Sequence, residues 1–282
     1  MPGTLYVVAT PIGNLEDITL RALRVLKEVD LVACEDTRQT AKLLTHYQIE
    51  KPKVSYHEHN EEEKAPALLV ELQRGKQIAL VSDAGTPCIS DPGYRIVRSA
   101  LENGIRVVPI PGPCSFIAAL SASGRPTESF VFVGFLPARK GARRNTLESL
   151  RGEQRTVIFF ESPMRLLDTL ADVEEILGER RVTVARELTK IYEEIFFGNS
   201  REALAHFSEK KVKGEIVLLV EKGVSPQRTA GILNHVEIRR KVKELSERLG
   251  MTKNEALKEL SKEFQIPKRE LYKLLLDSRG TQ

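Results

Sequence analysis

The chain has 282 residues, 41% of them hydrophobic and 29% charged, which suits a soluble protein with a packed core of two domains or one large α/β unit. No apolar run approaches the roughly 20 residues of a membrane span, and the start at Met1-Pro2-Gly3-Thr4 lacks signal-peptide character, so a cytoplasmic location is expected. Three scattered cysteines (Cys34, Cys88, Cys114) exclude a disulfide framework or a cysteine zinc site, and no metal is expected.

In chain order, Thr4 to Ala9 is a continuous apolar strand, followed by the loop Thr10-Pro11-Ile12-Gly13-Asn14 and a helix expected from Asp17. Asp30 to Cys34 predicts a second strand, Thr37 to Tyr47 a helix, and Val54 to Tyr56 a short third strand before a helix through Leu72. Gln77 to Val81 is the fourth strand. The loop Ser82 to Gly93 leads into a helix from Tyr94 that stops at Asn103-Gly104. Arg106 to Ile110 is the fifth strand, with a helix starting near Cys114. Such alternation implies a mainly parallel sheet covered on both faces, with ligands beyond the carboxyl ends of its strands. Loops 10–14, 82–93 and 111–115 then surround one crevice.

Beyond Pro126, an expected hinge, strands are predicted over Phe130 to Phe135, Thr156 to Phe160, Val182 to Ala185 and Glu215 to Val220. Helices are expected at Arg144 to Leu150, Met164 to Leu177 and Arg201 to Ser208, so this is a second α/β domain. After Gly223-Val224-Ser225-Pro226 the chain reads as purely helical: Ile238 to Leu249, Asn254 to Phe264 and Lys268 to Leu276, with the cadence of a small helix-turn-helix. Domains are placed at 1–124, 125–224 and 225–282. Residues 228–282 carry 13 of the 43 basic and 8 of the 39 acidic residues, so the excess positive charge sits in the tail and points to an acidic partner.

Neither G-x-G-x-x-G nor G-x-x-x-x-G-K-[ST] occurs, which disfavours a nicotinamide oxidoreductase and a P-loop nucleotidase. In the second loop, Asp83 and Asp91 stand among small residues and prolines. They suit an amine, a ribose or a cation better than a pyrophosphate. The structural alternative for either aspartate is to cap a turn or the next helix, and for Ser115 to bond its own first turn. Together the three loops describe a pocket walled by backbone.

Those loops resemble the tetrapyrrole methylases, S-adenosylmethionine enzymes with two α/β domains and the cofactor in the cleft between them, over nearly four-fifths of the chain. The stretches Val8 to Thr19, Cys34-Glu35-Asp36-Thr37-Arg38, Ser82 to Gly93 and Phe160-Glu161-Ser162-Pro163 resemble one branch. Its members, the small-subunit ribosomal RNA methyltransferase I group, methylate the ribose 2′-oxygen of a cytidine. Tetrapyrrole-acting members usually have a glycine-rich first loop and a shorter second one. The resemblance therefore implies small-subunit rRNA, or the assembled subunit, as partner, and a homodimer. It places the cofactor against Pro11 and Ile12, then Asp83, Ala84, Gly85, Thr86 and Ile89, then Cys114 and Ser115. Phe160, Glu161, Arg186, Gly214, Glu215 and Ile216 would close the pocket from the second domain.

A ribose hydroxyl needs a base as its proton leaves. The candidates are Glu35 and Asp36 at the end of strand two, Glu187 or Lys190, and His57; Glu35, Asp36 and Lys190 form the expected catalytic set. Asp36 capping its helix with Glu35 pairing Arg38 is the structural alternative. Arg139, Lys140, Arg143 and Arg144, with few acids nearby in sequence, are expected to hold RNA phosphates, with the basic tail as a second contact. Alternatives are a methyltransferase acting on a tetrapyrrole or a protein side chain, and a non-catalytic RNA-binding assembly factor.

Overall fold

The apolar segments of the first half form β1 (Thr4–Val8), β2 (Leu31–Cys34), β3 (Lys53–Ser55), β4 (Ile78–Val81) and β5 (Arg106–Ile110). They lie in the order β3-β2-β4-β1-β5 and every pairing is parallel. This computed structural model describes residues 1–222, 235–263 and 268–276.

Central β4 is buried at each position because helices cover both faces, which is why its sequence runs apolar without alternation. On one face α1 (Leu20–Glu28) and α2 (Thr37–His46) pack Val25, Leu26 and Leu44 on Val8, Val32 and Val81. On the other, α3 (Glu61–Gln73) and α4 (Tyr94–Glu102) pack Leu68, Leu72 and Ile96 on Leu5, Ile78 and Leu80. Each such buried side chain contributes roughly 1.5–3 kcal/mol. The first helix starts later than the expected Asp17. Leu15–Asp17 is a 3-10 turn capped by Asn14, and Thr19 caps α1 by accepting from Ala22 N at 3.1 Å.

The second sheet runs β6-β7-β10-β8-β9. Its strands are β6 (Phe130–Phe135), β7 (Thr156–Glu161), β8 (Arg181–Arg186), β9 (Glu194–Asn199) and β10 (Ile216–Val220). Only β6 and β7 pair in parallel; β10 is antiparallel to both neighbours, and β9 to β8. Strand β9 is absent from the sequence-based expectations. The helices α6 (Lys140–Ser149), α7 (Leu166–Leu177) and α8 (Ser200–Ser208) cover one face. The other face receives Ala119 and Leu120 of α5 (Ser115–Ala122), which pack with Ile158, Ala185, Val217 and Leu219. Helix α5 thus carries the chain from the first sheet onto the second and joins their ligand-facing ends. At the expected hinge, buried Arg125 donates to Thr183 Oγ1 at 3.0 Å, pairs with Glu221 at 3.0 Å and lies 4.0 Å over the Phe197 ring, so this connection is pinned.

The chain divides into two compact units, 1–151 with 155–221, and 152–154 with 222–282. The first holds both sheets. The second contains α9 (His235–Leu249), α10 (Lys253–Glu263) and α11 (Lys268–Leu276), whose Ile238, Leu257, Leu260 and Leu271 form a core of their own. The expected boundary at 224/225 and the helix stop at Gln265-Ile266-Pro267 lie outside the described residues. No described helix is long and apolar enough to cross a membrane.

Candidate functional site

Parallel strands deliver their carboxyl-end loops to one edge, and here hydrogen bonds stitch those loops together. Thr10 and Gly85 exchange backbone bonds of 2.8 and 3.0 Å, joining the loops after β1 and β4. Thr86 Oγ1 donates to Pro113 O at 3.0 Å, adding the loop after β5. Asp36 N donates to Asp83 Oδ1 at 2.9 Å, adding the turn after β2. Gly85 has φ +79°, and a Cβ there would stand 3.3 Å from Ile12 Cγ2, so the backbone itself forms this wall.

The second sheet supplies the opposite wall. Phe160 is the penultimate residue of β7, Ala185 lies in β8, and Gly214 to Val217 lead into and begin β10. Between them is a cleft of about 440 Å³, within the range of small-molecule sites. One glycine lets the two walls approach and a second lets the second wall close on itself. A Cβ on Gly13 would meet Lys190 Cγ at 2.5 Å and Leu188 O at 2.9 Å, and one on Gly214 (φ +87°) would run into the Glu187 carboxylate.

The cleft is acidic on its first-sheet side. Burial raises the Glu35 carboxyl above its ordinary range, Asp83 and Asp91 add to this, and a backbone hydrogen bond from Asp83 opposes it. Burial pushes Asp91 up to about 6, assisted by Asp83 and Glu215 and opposed by a hydrogen bond with Ser82. Ionising these groups together is costly, so the cleft favours a ligand bearing positive charge or hydroxyl donors. The N-terminus of α5 faces the same space through Cys114 and Ser115, adding the positive end of a helix dipole suited to an anionic end of that ligand.

Of the expected cofactor contacts, Ile12, Asp83, Ala84, Gly85, Thr86 and Ile89 line the cleft, as do Cys114 and Ser115. Phe160, Glu161, Gly214, Glu215 and Ile216 line it from the other side. Pro11 is buried behind the wall, and Arg186 pairs with Glu194 at 2.8 Å and donates to Lys213 O. The Glu161 carboxylate is engaged by Ser162 N (2.7 Å), Thr169 Oγ1 (2.6 Å) and Arg165 (2.7 Å), so it fixes the turn that carries Phe160.

Among the expected catalytic residues, only Glu35 reaches the cleft wall. Asp36 caps α2 through Arg38 N at 2.8 Å and pairs with the Arg38 guanidinium; those hydrogen bonds hold its carboxyl down at about 2. Its structural alternative therefore holds in altered form, with Asp36 rather than Glu35 pairing Arg38. The Lys190 ammonium lies 2.8 Å from Glu187 and 3.0 Å from Glu215. Burial works against its charge, but the two carboxylates outweigh it and raise its pKa, so Lys190 is a cation and not a base. Glu187 is held low by Lys190, and His57 bonds to Asn60 at 3.2 Å away from the cleft lining.

The basic run needs correction. Arg143 is buried and pairs with Asp172 at 2.7 Å; Arg144 bridges Asp172 at 2.8 Å and Glu175 at 2.5 Å. The acids lie about one helix away in space though far off in sequence, and they occupy both guanidinium groups. Arg139 and Lys140 remain exposed at the start of α6. Phe116, Phe135 and Leu188, absent from the expected site residues, line the cleft, as does Asp91, for which the sequence left both a ligand contact and a cap open.

Residues 4–204 match the family model described as Tetrapyrrole (Corrin/Porphyrin) Methylases. A Halalkalibacterium halodurans protein named ribosomal RNA small subunit methyltransferase I is 50% identical over 279 residues, 96% of this chain and 94% of that protein. A protein of the same name from Escherichia coli O157:H7 is 55% identical over 222 residues, 78% of each chain. In fold, the chain is similar to the crystal structure of uroporphyrin-III-C-methyltransferase from Thermus thermophilus, with TM-score 0.54 and 22% identity over 79% of this chain and 96% of that one.

Proposed function

Since this chain belongs to the tetrapyrrole (corrin/porphyrin) methylase family, and within it to the ribosomal RNA small subunit methyltransferase I group, we propose that it methylates the ribose 2′-oxygen of a cytidine in small-subunit ribosomal RNA, using S-adenosylmethionine. The observation that carries this reading is identity at half of all positions, across almost the whole chain, with a relative of that name.

The donor set fits the cofactor. Acids at Asp83, Asp91 and Glu35 suit a sulfonium, an ammonium and ribose hydroxyls, and the α5 N-terminus suits a carboxylate. Backbone walls at Gly85 and Gly214 and apolar Ile12 and Ala185 suit the remainder. When bound, the cofactor supplies a methyl group already activated on sulfur, so the protein's task is alignment and proton removal. Glu35 accepts the proton of the ribose hydroxyl, its raised pKa bringing it closer to the working pH of a base. Asp36 positions Asp83 through its backbone N–H. Lys190 braces the first loop against Glu215.

Arg139, Lys140 and the basic C-terminal helices contact RNA phosphates. We read residues 1–124 and 125–224 as two α/β domains sharing the cleft, and 225–282 as the RNA-facing module. The protein acts in the cytoplasm as a homodimer. Exposed Ile191, Tyr192, Ile195 and Phe197, on and before edge strand β9, supply apolar surface for self-association. The test is to map 2′-O-methylation on small-subunit rRNA from cells with and without the gene. An unchanged methylation map would sink the reading.

A further inference from the structure

Strand β6 contains a register shift that changes which face its last residue occupies. Phe132 pairs with Ile158, Gly134 with Phe159 and Phe135 with Phe160, so Val133 is the extra residue of a β-bulge. In a regular strand, residues 132 and 135 would face opposite ways. The bulge instead puts Phe132 and Phe135 on the same face as Ile158 and Phe160, and sends Leu136 into the core on the other side. Gly134 allows this with φ +78°, packed so that a Cβ would stand 3.2 Å from Ser90 Oγ of the cleft loop.

The result is a series of rings leading out of the core. Phe116 stacks on Phe132 at 4.3 Å, Phe132 meets Phe160 edge-on at 5.0 Å, and Phe160 meets Phe135 at 5.4 Å. Exposure differs widely within the lining: Ala185 is 0% exposed, Ile89 39% and Phe135 58%. A phenyl ring turned into an acidic cleft by a bulge, and left more than half exposed, offers a fixed π-face at the mouth. Its backbone is held because Leu136 is buried and Leu136 O accepts from Arg165 at 3.0 Å.

We propose that Phe135 is the platform on which a nucleobase stacks at the mouth of the cleft, the base being that of the nucleotide presented for methylation. This rests on the function proposed above. Two sources share the chemistry, the substrate's base and the cofactor's adenine. The exposed position favours the substrate, because Phe135 stands further out than Ile89, a wall residue that would hold the cofactor. Exposed Arg139 and Lys140 follow on the same segment, where the phosphates flanking an unstacked nucleotide would need cations.

The test compares Phe135→Ala, Phe135→Leu and Phe135→Trp in the full chain, with thermal melts to verify folding. Each is assayed for methyl transfer to small subunits from cells lacking the gene, and for S-adenosylmethionine affinity by calorimetry. Stacking on the substrate predicts that Ala and Leu lower kcat/KM for the RNA by about 10-fold or more. Trp retains it to within a few-fold, and cofactor affinity is unchanged. A matching loss of cofactor affinity, again rescued by Trp, supports stacking but assigns it to adenine. Leu performing as well as Trp, or no change in either measurement, overturns the proposal. If the wild-type protein binds the cofactor but modifies no small-subunit rRNA, the proposed substrate falls; the calorimetric comparison then decides Phe135, with unchanged affinity counting against it.

Discussion

The backbone N–H of Asp36 donates to Asp83 Oδ1 at 2.9 Å, while the Asp36 carboxylate turns away to hold Arg38. One aspartate thus sets the other through its main chain, and the two side chains have separable jobs. Asp83→Asn keeps an acceptor for that N–H and removes the negative charge facing the cleft. It should weaken S-adenosylmethionine binding by roughly 10-fold, the value of a charge-assisted hydrogen bond, with little change in Tm. Calorimetry on a variant of normal Tm checks this, and unaltered affinity would remove Asp83 from the cofactor site.

Asp36→Ala should behave in the opposite way. Losing the α2 cap costs about 1 kcal/mol, which lowers Tm by roughly 2–4 °C in a unit of this size. The N–H that steadies Asp83 survives the substitution, so cofactor affinity should change less than in Asp83→Asn. A variant that melts normally but cannot turn over would return Asp36 to the catalytic set.

The pH dependence follows from Asp91, whose carboxyl burial lifts to about 6. Below about pH 4 it is protonated in both folded and unfolded chains and affects neither. Between about 4 and 6 only the unfolded chain ionises it, so folded stability declines, and above 6 the full penalty of a buried charge is present. Asp91→Asn should therefore raise Tm at pH 7, with the gain vanishing below pH 4. A cationic ligand should gain affinity several-fold from pH 5 to 7 in the wild type but not in the variant. Melts and titrations at those pH values decide both points.

Arg143 and Arg139 should separate stability from RNA contact. Arg143→Ala removes one of the two partners of buried Asp172, leaving Arg144 on its other oxygen, and should cost about 2 kcal/mol. Reversing Arg139 and Lys140 to Glu should leave Tm near wild type, weaken RNA binding, and flatten its salt dependence by roughly one unit of slope or more. The falsifying result is a salt slope unchanged in the double reversal.

What could be read in the sequence tracks how local its cause was. Strands β1, β2 and β4 are legible as runs of apolar residues because helices cover both faces, edge strand β5 is legible from Val107-Val108 after the Asn103-Gly104 helix stop, and the strand-end loops follow from their order. Edge strand β9 was missed because Ile195 and Phe197 face outward, removing the usual polar side. Helix α6 begins at Lys140 rather than Arg144, since Gly141 and a basic run look like a loop until Asp172 and Glu175 arrive from α7. Glu35 was legible from its place at a strand end. Its contrast with Asp36 was not, because it depends on which carboxylate turns toward Arg38. The direction of Phe135 depends on a bulge with no marker beyond one glycine.

Strand β10, the last of its unit in the chain, occupies the centre of the second sheet between β7 and β8. A ribosome delivers residues in order, so the first sheet has all its strands by residue 110, about 40% of the way through synthesis. The second must keep β7 and β8 unpaired along one edge until residue 220 emerges. A chain halted after β8, at residue 186, and before β10 would present one finished sheet and two open strand edges, a species disposed to aggregate or to recruit chaperones. Because Gly214 to Val217 are also part of the cleft wall, completion of the second sheet and completion of the site coincide. Truncations short of residue 220 should accordingly give no graded activity, only its absence.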